Sequence, residues 1–112
     1  MSAEFRNATR REIRHRIDIT DSMTGQIAGQ LTDLSSSGLM LSSPTALNLE
    51  ALYQWRFTLP DASADDASLE CGVQIIWLNS SAPGQYTAGA RFILIEPTER
   101  ERIRTWSTAA NR

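Results

Sequence analysis

The chain carries one short segment whose side chains are suited to binding phosphate and guanine. Residues 10–16 read RREIRHR and hold four arginines. The planar guanidinium group of arginine binds phosphate through two parallel hydrogen bonds and stacks on the faces of bases. It also donates to the O6 and N7 acceptors of guanine. The alternative is that this segment is a solvated basic arm without a binding role.

A second polar segment follows about twenty residues later, at residues 33–38 (DLSSSG). Asp33 can accept hydrogen bonds from N1–H and N2–H₂ of guanine, and Ser35 adds a hydroxyl group. Gly38 allows the backbone to turn or to approach a ligand closely. The same residues also fit an ordinary turn, in which Asp33 or Ser35 caps its own backbone. Together, the two segments provide complementary donors and acceptors for a guanine nucleotide that carries phosphates.

The overall charge argues against a general nucleic-acid or membrane-surface binder. The net charge is −2, whereas such proteins are usually basic. All 11 basic residues are arginine. Five of them fall within the first sixteen positions: Arg6, Arg10, Arg11, Arg14 and Arg16. We therefore expect a localised anion site and no DNA or RNA partner.

The sequence offers no catalytic or metal-binding constellation. The single histidine, His15, and the single cysteine, Cys71, are far apart and do not form a zinc site. Nucleophilic catalysis would need a serine or cysteine paired with a histidine. We predict no enzymatic activity, no metal and no cofactor. A lone cysteine excludes an intramolecular disulfide and fits a reduced, cytoplasmic setting. No apolar run reaches the ~18 residues of a membrane span, so no membrane insertion is expected.

Alternating apolar and polar residues predict several short strands followed by one helix. Ile17 and Ile19 alternate with polar neighbours, and Ile27 and Leu31 are expected to face inward. Three longer runs also favour strands, at 51–59, 69–78 and 86–95. Pro97 suits the first turn of a helix whose apolar stripe includes Ile103 and Trp106. Six or seven strands with a terminal helix predict a mainly β, single-domain antiparallel barrel.

The pattern Arg10-x-x-x-Arg14, followed by Asp33-x-Ser35-x-x-Gly38, resembles the signature of the PilZ domain family. Further runs typical of that family follow in order: Gly38–Leu41, Phe57–Pro60, Ile75–Trp77 and Gly89–Phe92. The resemblance covers about residues 10 to 108. It implies a six-stranded antiparallel PilZ-type β-barrel with a C-terminal α-helix that binds cyclic di-GMP. We place the domain at residues 10–110, after a flexible N-terminal arm at 1–9.

The resemblance also assigns ligand-binding roles by position. The arm arginines Arg10, Arg11 and Arg14 would engage phosphate and guanine. Asp33 and Ser35 would hold a guanine edge, while Gly38 would permit the turn. Trp77 matches a strand position that lies beside the ligand in some members, and barrel packing is the alternative for it.

The register of the second arginine stays open. In many members of the family this arginine directly precedes the first apolar residue of the first strand. Here that position is Arg16, before Ile17, whereas the R-x-x-x-R spacing selects Arg14. If Arg16 is the equivalent residue, its partner four positions earlier is Glu12, a poor phosphate ligand. Both arginines are therefore candidates.

The resemblance favours a receptor or adaptor without catalysis of its own. We expect its arginine arm to be disordered without ligand and to fold over cyclic di-GMP on binding. The signal would then pass to a protein partner in motility, chemotaxis, polysaccharide or two-component signalling. The main alternative is a degenerate PilZ domain that serves as a protein-interaction module without nucleotide. A nucleic-acid-binding barrel is disfavoured, because the strands are neutral to acidic.

Overall fold

The computed structural model describes residues 9–59 and 68–109, which form seven strands and one helix. The predicted mainly β class with a C-terminal helix is confirmed. The elements are β1 (Arg10–Glu12), β2 (Asp18–Asp21), β3 (Ile27–Ser35), β4 (Gly38–Ser43), β5 (Leu52–Thr58), β6 (Ser68–Ala82), β7 (Gln85–Leu94) and α1 (Pro97–Ala109).

Six of the strands close into a barrel. Their order around the barrel is β3, β2, β5, β6, β7 and β4, and β4 pairs again with β3. Every pairing is antiparallel. The predicted six-stranded antiparallel barrel is thus confirmed. The short strand β1 is additional and lies along β3.

Strand β1 continues the line of β2 along the same edge of β3. The backbone N–H of Ile13 donates to Thr32 O at 2.9 Å, and the N–H of Leu31 donates to Ile17 O at 2.9 Å. Between these two bonds, residues 14–16 leave the sheet as a short loop. Residues 10–12 pair with residues 33–35 of β3. The end of β3 provides the backbone groups for these bonds. The expectation that the arm becomes ordered on binding ligand stays a prediction.

The barrel interior is filled by apolar side chains from every barrel strand. Trp55 and Ile75 are fully buried, and Leu31 faces inward as predicted. The prediction that Ile27 faces inward is wrong, because that side chain is largely exposed. A register shift opposite Ala28 pairs Ile27 with Thr20, so the alternation reverses at the start of β3.

Helix α1 begins at Pro97 and buries Ile103 and Trp106, as the sequence predicts. It packs against β1 and β3. Residues 1–8 and 110–112 lie outside the described residues, so the predicted boundaries of the arm and the domain stay predictions. Within the described ranges, no helix has the length and hydrophobicity to traverse a bilayer.

Candidate functional site

A row of side chains crosses the outside of the barrel and brings the two predicted motifs together. Directly opposed residues in antiparallel strands share a face of the sheet. Leu34 and Leu39 face the interior, so their neighbours Asp33 and Met40 face outward. The pairing register continues this row over five strands, and we call it the outer row: Glu12, Asp33, Met40, Gly89 and Trp77.

Asp33 lies in the outer row as a partly buried carboxylate next to the arm. Burial raises the pKa of Asp33 above its usual value of 3.8, and the charge of Glu12 adds to the increase. The nearby guanidinium of Arg10 acts in the opposite direction. A carboxylate that has lost part of its hydration gains more from a directed hydrogen-bond donor than one in open water does. Asp33 is therefore suited to accept from a ligand.

The exposed arginine of β1 reaches across the same surface. Arg10 lies opposite Ser35 in the strand register, and its Nη1 is 3.3 Å from the Sδ of Met40. The guanidinium thus lies over the half-buried Met40, the partner of Asp33 in β4. A cation and a carboxylate flank a thioether surface at this end of the row.

Trp77 marks the other end of the outer row. A Cβ atom at Gly89 would collide with the indole ring, so Trp77 packs directly on the Gly89 backbone. The ring is only half-buried and keeps an exposed part on the outer surface. The packing role expected as the alternative is present, and contact with a ligand stays a prediction. Both roles are compatible because the ring has two faces.

The two arginines of the loop at residues 14–16 have different surroundings. Arg16 forms an exposed ion pair with Asp18 at 3.3 Å and lines a surface depression of about 650 Å³. Gln30 and Ser42 also line this depression, which lies next to the outer row because Ser42 is two residues beyond Met40 in β4. A hydrogen bond from Gln30, aided by Arg16, lowers the pKa of Asp18.

Arg14 is exposed, and no hydrogen bond or ion pair of its side chain occurs within the described ranges. The structure therefore gives each candidate for the second arginine a different environment. Arg16 already has a carboxylate partner, whereas Arg14 has none to release among the residues that the structure describes.

Arg11 is not brought together with Asp33. It pairs with the inward-facing Leu34, and its Nη1 donates to Trp106 O at 3.0 Å. Its guanidinium carbon lies 4.3 Å from the centre of the Trp106 ring, within the range of a cation–π interaction. The predicted ligand contact of Arg11 remains untested, but its observed contacts attach β1 to the C-terminal helix.

Ser35 and Gly38 belong to the turn between β3 and β4. The fully buried hydroxyl of Ser35 accepts from the N–H groups of Ser37 and Gly38, each at 3.3 Å. It also donates to Gly38 O at 3.3 Å. This is the capping arrangement that the sequence allowed as an alternative. The helix holds the same turn, because Arg100 Nη1 donates to Ser36 O at 2.7 Å.

Sequence reasoning missed several residues of this surface. Met40 and Gly89 belong to the outer row, while Gln30, Ser42 and Thr87 line the neighbouring depression. Only the pairing of the strands identifies these residues, because it places them beside Asp33 and Arg16. The sequence showed only that Met40 lies in an apolar run.

Solved structures with the same fold show how far the architecture is shared. An inhibitor of motility from Bacillus subtilis, MotI/DgrA, aligns with a TM-score of 0.75 and 8% identity, over 94% of this chain and 50% of the other. The PilZ domain of YcgR from Escherichia coli, solved with c-di-GMP, aligns with a TM-score of 0.68 and 15% identity, over 95% of this chain and 91% of the other.

The MrkH–c-di-GMP complex from K. pneumonia aligns with a TM-score of 0.65 and 14% identity, over 88% of this chain and 49% of the other. The chain thus spans about half the length of MotI/DgrA and of MrkH. At these identities the likeness establishes the fold alone. No curated protein matches the sequence closely. The family profile for the PilZ domain matches residues 4–109, nearly the whole chain, and the chain therefore belongs to the PilZ domain family.

Proposed function

We propose that this chain is a receptor for cyclic di-GMP that binds the nucleotide on the outer row and signals through a protein partner, without catalysis of its own. One observation carries the proposal: the partly buried carboxylate of Asp33 lies beside the arm arginine Arg10, on the face that also holds Trp77. Membership of the PilZ family supports it, as do two neighbours of the same fold that were solved with c-di-GMP.

The chemistry of the outer row fits a guanine base. Asp33 would accept from N1–H and N2–H₂, an arrangement that requires an ionised carboxylate. Arg10 would donate to O6 and N7 or stack on the ring. Met40 and the exposed part of Trp77 would provide apolar surface for a flat base.

The phosphates of the ligand would be bound by the loop at 14–16. Arg14 and Arg16 are both exposed there and lie between strands that border the ligand surface. Because β1 is already paired with β3, we expect ligand-induced ordering to centre on this loop. Arg11 and Ser35 would contribute indirectly in this scheme, by fixing the arm and the turn.

The second candidate function is a PilZ domain that binds proteins and no nucleotide. The observation in its favour is that predicted ligand arginines already contact protein groups, Arg11 and Arg16 among them. Arg11 binds Trp106 O, and Arg16 binds Asp18. In this case the arm would serve to hold the barrel and helix together. The cytoplasmic location and the absence of a cofactor remain predictions in both schemes.

Isothermal titration of the full chain with cyclic di-GMP, with GTP as a control, tests the proposal. We expect saturable binding of one or two ligands per chain and no comparable response to GTP. Asp33→Ala should lose most of the binding, and Glu96→Ala, which removes an exposed carboxylate elsewhere, should retain it. Absence of heat and of any thermal shift at high ligand concentration would favour the interaction module instead.

A further inference from the structure

A second surface of the barrel exposes large apolar side chains away from the outer row. Leu52, Ile93 and Leu94 are 65%, 44% and 72% exposed. Ile93 and Leu94 are neighbours at the end of β7, whereas Leu52 lies in β5 opposite Gln74 and does not line the depression described below. Grouped apolar residues at a protein surface mark interaction sites more often than single ones do. Packing of the barrel core does not explain why these apolar side chains are exposed.

An irregularity in the sheet turns two successive apolar residues outward. Val73 pairs with Phe92 and Gly72 pairs with Leu94, so Ile93 is skipped in the register. A bulge of this kind re-aims side chains, and here it exposes both Ile93 and Leu94. Gly72 lies beneath them, and a Cβ there would stand 3.0 Å from Leu94 Cβ. The missing side chain leaves a depression between β5 and β7.

Carboxylates surround this depression, which has a volume of about 370 Å³. Its lining includes Glu70, Glu96 and Glu99 and contains no basic side chain among the described residues. Arg56 lies directly opposite Glu70 in the strand register but does not line the depression. Burial raises the pKa of Cys71 in the lining to about 12, and the charges of Glu99 and Glu70 add to the increase.

We propose that this depression, which we call the acidic notch, docks a partner segment that presents a large apolar side chain flanked by arginine or lysine. The apolar group would pack on Gly72, Ile93 and Leu94, and the flanking cations would meet the glutamates. The docking surface itself does not depend on nucleotide binding. Its use as the output of a receptor rests on the proposed function.

Other occupants fit the acidic notch less well. A nucleotide or another anion would be repelled by the three carboxylates. A second copy of the chain, related by a two-fold axis, would place the same carboxylates against one another, because such an interface is formed by identical patches. A basic segment with an apolar centre complements both the carboxylates and the exposed side chains of Ile93 and Leu94.

Nuclear magnetic resonance titration of the ¹⁵N-labelled full chain tests the proposal. The probe is a synthetic peptide with two adjacent leucines and two arginines on either side. Its counterpart carries glutamate in place of each arginine. We expect saturable shifts of the Gly72, Leu94 and Glu96 amides with the basic peptide only. Leu94→Ser should weaken binding about tenfold, since it removes one apolar anchor. Glu96→Gln should weaken it about two- to fivefold.

Met23→Ser is the matched control, because Met23 is 78% exposed in the turn between β2 and β3. It should bind the basic peptide like the unmodified chain. Equal binding of both peptides, equal effects of Leu94→Ser and Met23→Ser, or shifts located elsewhere would each overturn the proposal. Self-association through Leu94 without peptide would overturn it in favour of a second copy. Parallel titration with cyclic di-GMP keeps the two proposals separate, since Leu94→Ser should leave nucleotide binding unchanged.

Discussion

The outward-facing and helix-facing residues of the same two motifs have different environments. Asp33 on the outer row and Arg10 beside it lie at a surface that a ligand can reach. On the helix side, Arg11 binds Trp106, and the hydroxyl of Ser35 is buried in its own turn. Strand alternation directs Arg10 and Arg11 to opposite faces of β1. Ser35 differs from Asp33 for another reason, because its hydroxyl is bonded within the turn between β3 and β4. A binding signature therefore includes residues that hold the site in place.

The largest expected effect is on the helix side. Trp106→Ala should lower the free energy of unfolding by about 3 kcal/mol, because it removes a buried indole and the ring under Arg11. The indole nitrogen has no hydrogen-bond partner among the described residues, so the loss is one of packing. Chemical denaturation measures it. Thr105→Ala, at an exposed neighbouring position, should change stability by less than about 0.5 kcal/mol. Equal effects of the two variants would contradict the role of the helix contact.

On the outer row, Asp33→Ala should weaken ligand binding and leave stability nearly unchanged, the opposite of the effect expected for Trp106→Ala. We expect cyclic di-GMP affinity to fall by about 1.5–3 kcal/mol, the scale of a charge-assisted hydrogen bond. The free energy of unfolding should stay the same or rise slightly, because burial disfavours the charge of Asp33. Calorimetric titration and denaturation of the same preparation check both expectations. A large loss of stability with unchanged affinity would show that Asp33 stabilises the fold and does not contact the ligand.

A pair of arginine variants would sharpen the comparison within the loop at 14–16. Arg14→Ala should weaken ligand affinity by about 1.5 kcal/mol or more, if it binds phosphate as the R-x-x-x-R spacing predicts. Arg16→Ala should have a smaller effect, because its side chain is already paired with Asp18. Neither variant should unfold the barrel, since exposed ion pairs contribute little. Affinity titrations of the two variants decide the register. The reverse order would assign the second arginine of the motif to Arg16.

The barrel and the helix could be predicted from the sequence because their signals are local. Alternation in the runs at 51–59 and 69–78 and the spacing of Ile103 and Trp106 each specify an element. The motif resemblance implied the six-stranded antiparallel barrel, while the order of the strands around it was not predicted. The contact partners of individual arm residues could not be predicted, since they depend on how β1 and β2 pair with β3. Nothing near Arg11 in sequence indicates that its partner is Trp106, and nothing near Ile27 reveals the shift opposite Ala28.

Ser35→Ala tests whether the buried hydroxyl supports the site or binds the ligand. Its removal leaves the N–H groups of Ser37 and Gly38 without their acceptor, so stability should fall by about 1–2 kcal/mol. Affinity should fall less than in Asp33→Ala. Ser37→Ala serves as the control, because within the described part of the chain that hydroxyl has a single polar contact, to Ser35. If Ser35→Ala abolished binding without loss of stability, the guanine contact implied by the resemblance would be the better account.

The smallest expected effect is the pH dependence of binding, which again separates recognition from stability. Acceptance from guanine requires an ionised Asp33, so affinity should fall as the pH drops through the pKa of that group. Because burial raises this pKa, the fall should begin at a higher pH than for an ordinary exposed aspartate. The contribution to folding has the opposite sign. The folded state binds this proton more tightly than the unfolded state does, so Asp33 favours folding at low pH and opposes it as the pH rises through the raised pKa.

A loss of affinity on acidification therefore would not arise from the effect of Asp33 on folding. Titrations from neutral pH to about pH 4 should show the decline in the unmodified chain. The decline should be weaker in Asp33→Asn, whose amide oxygen still accepts but does not titrate in this range. An identical decline in both proteins would assign the pH dependence to another group and remove Asp33 from the direct contact with guanine.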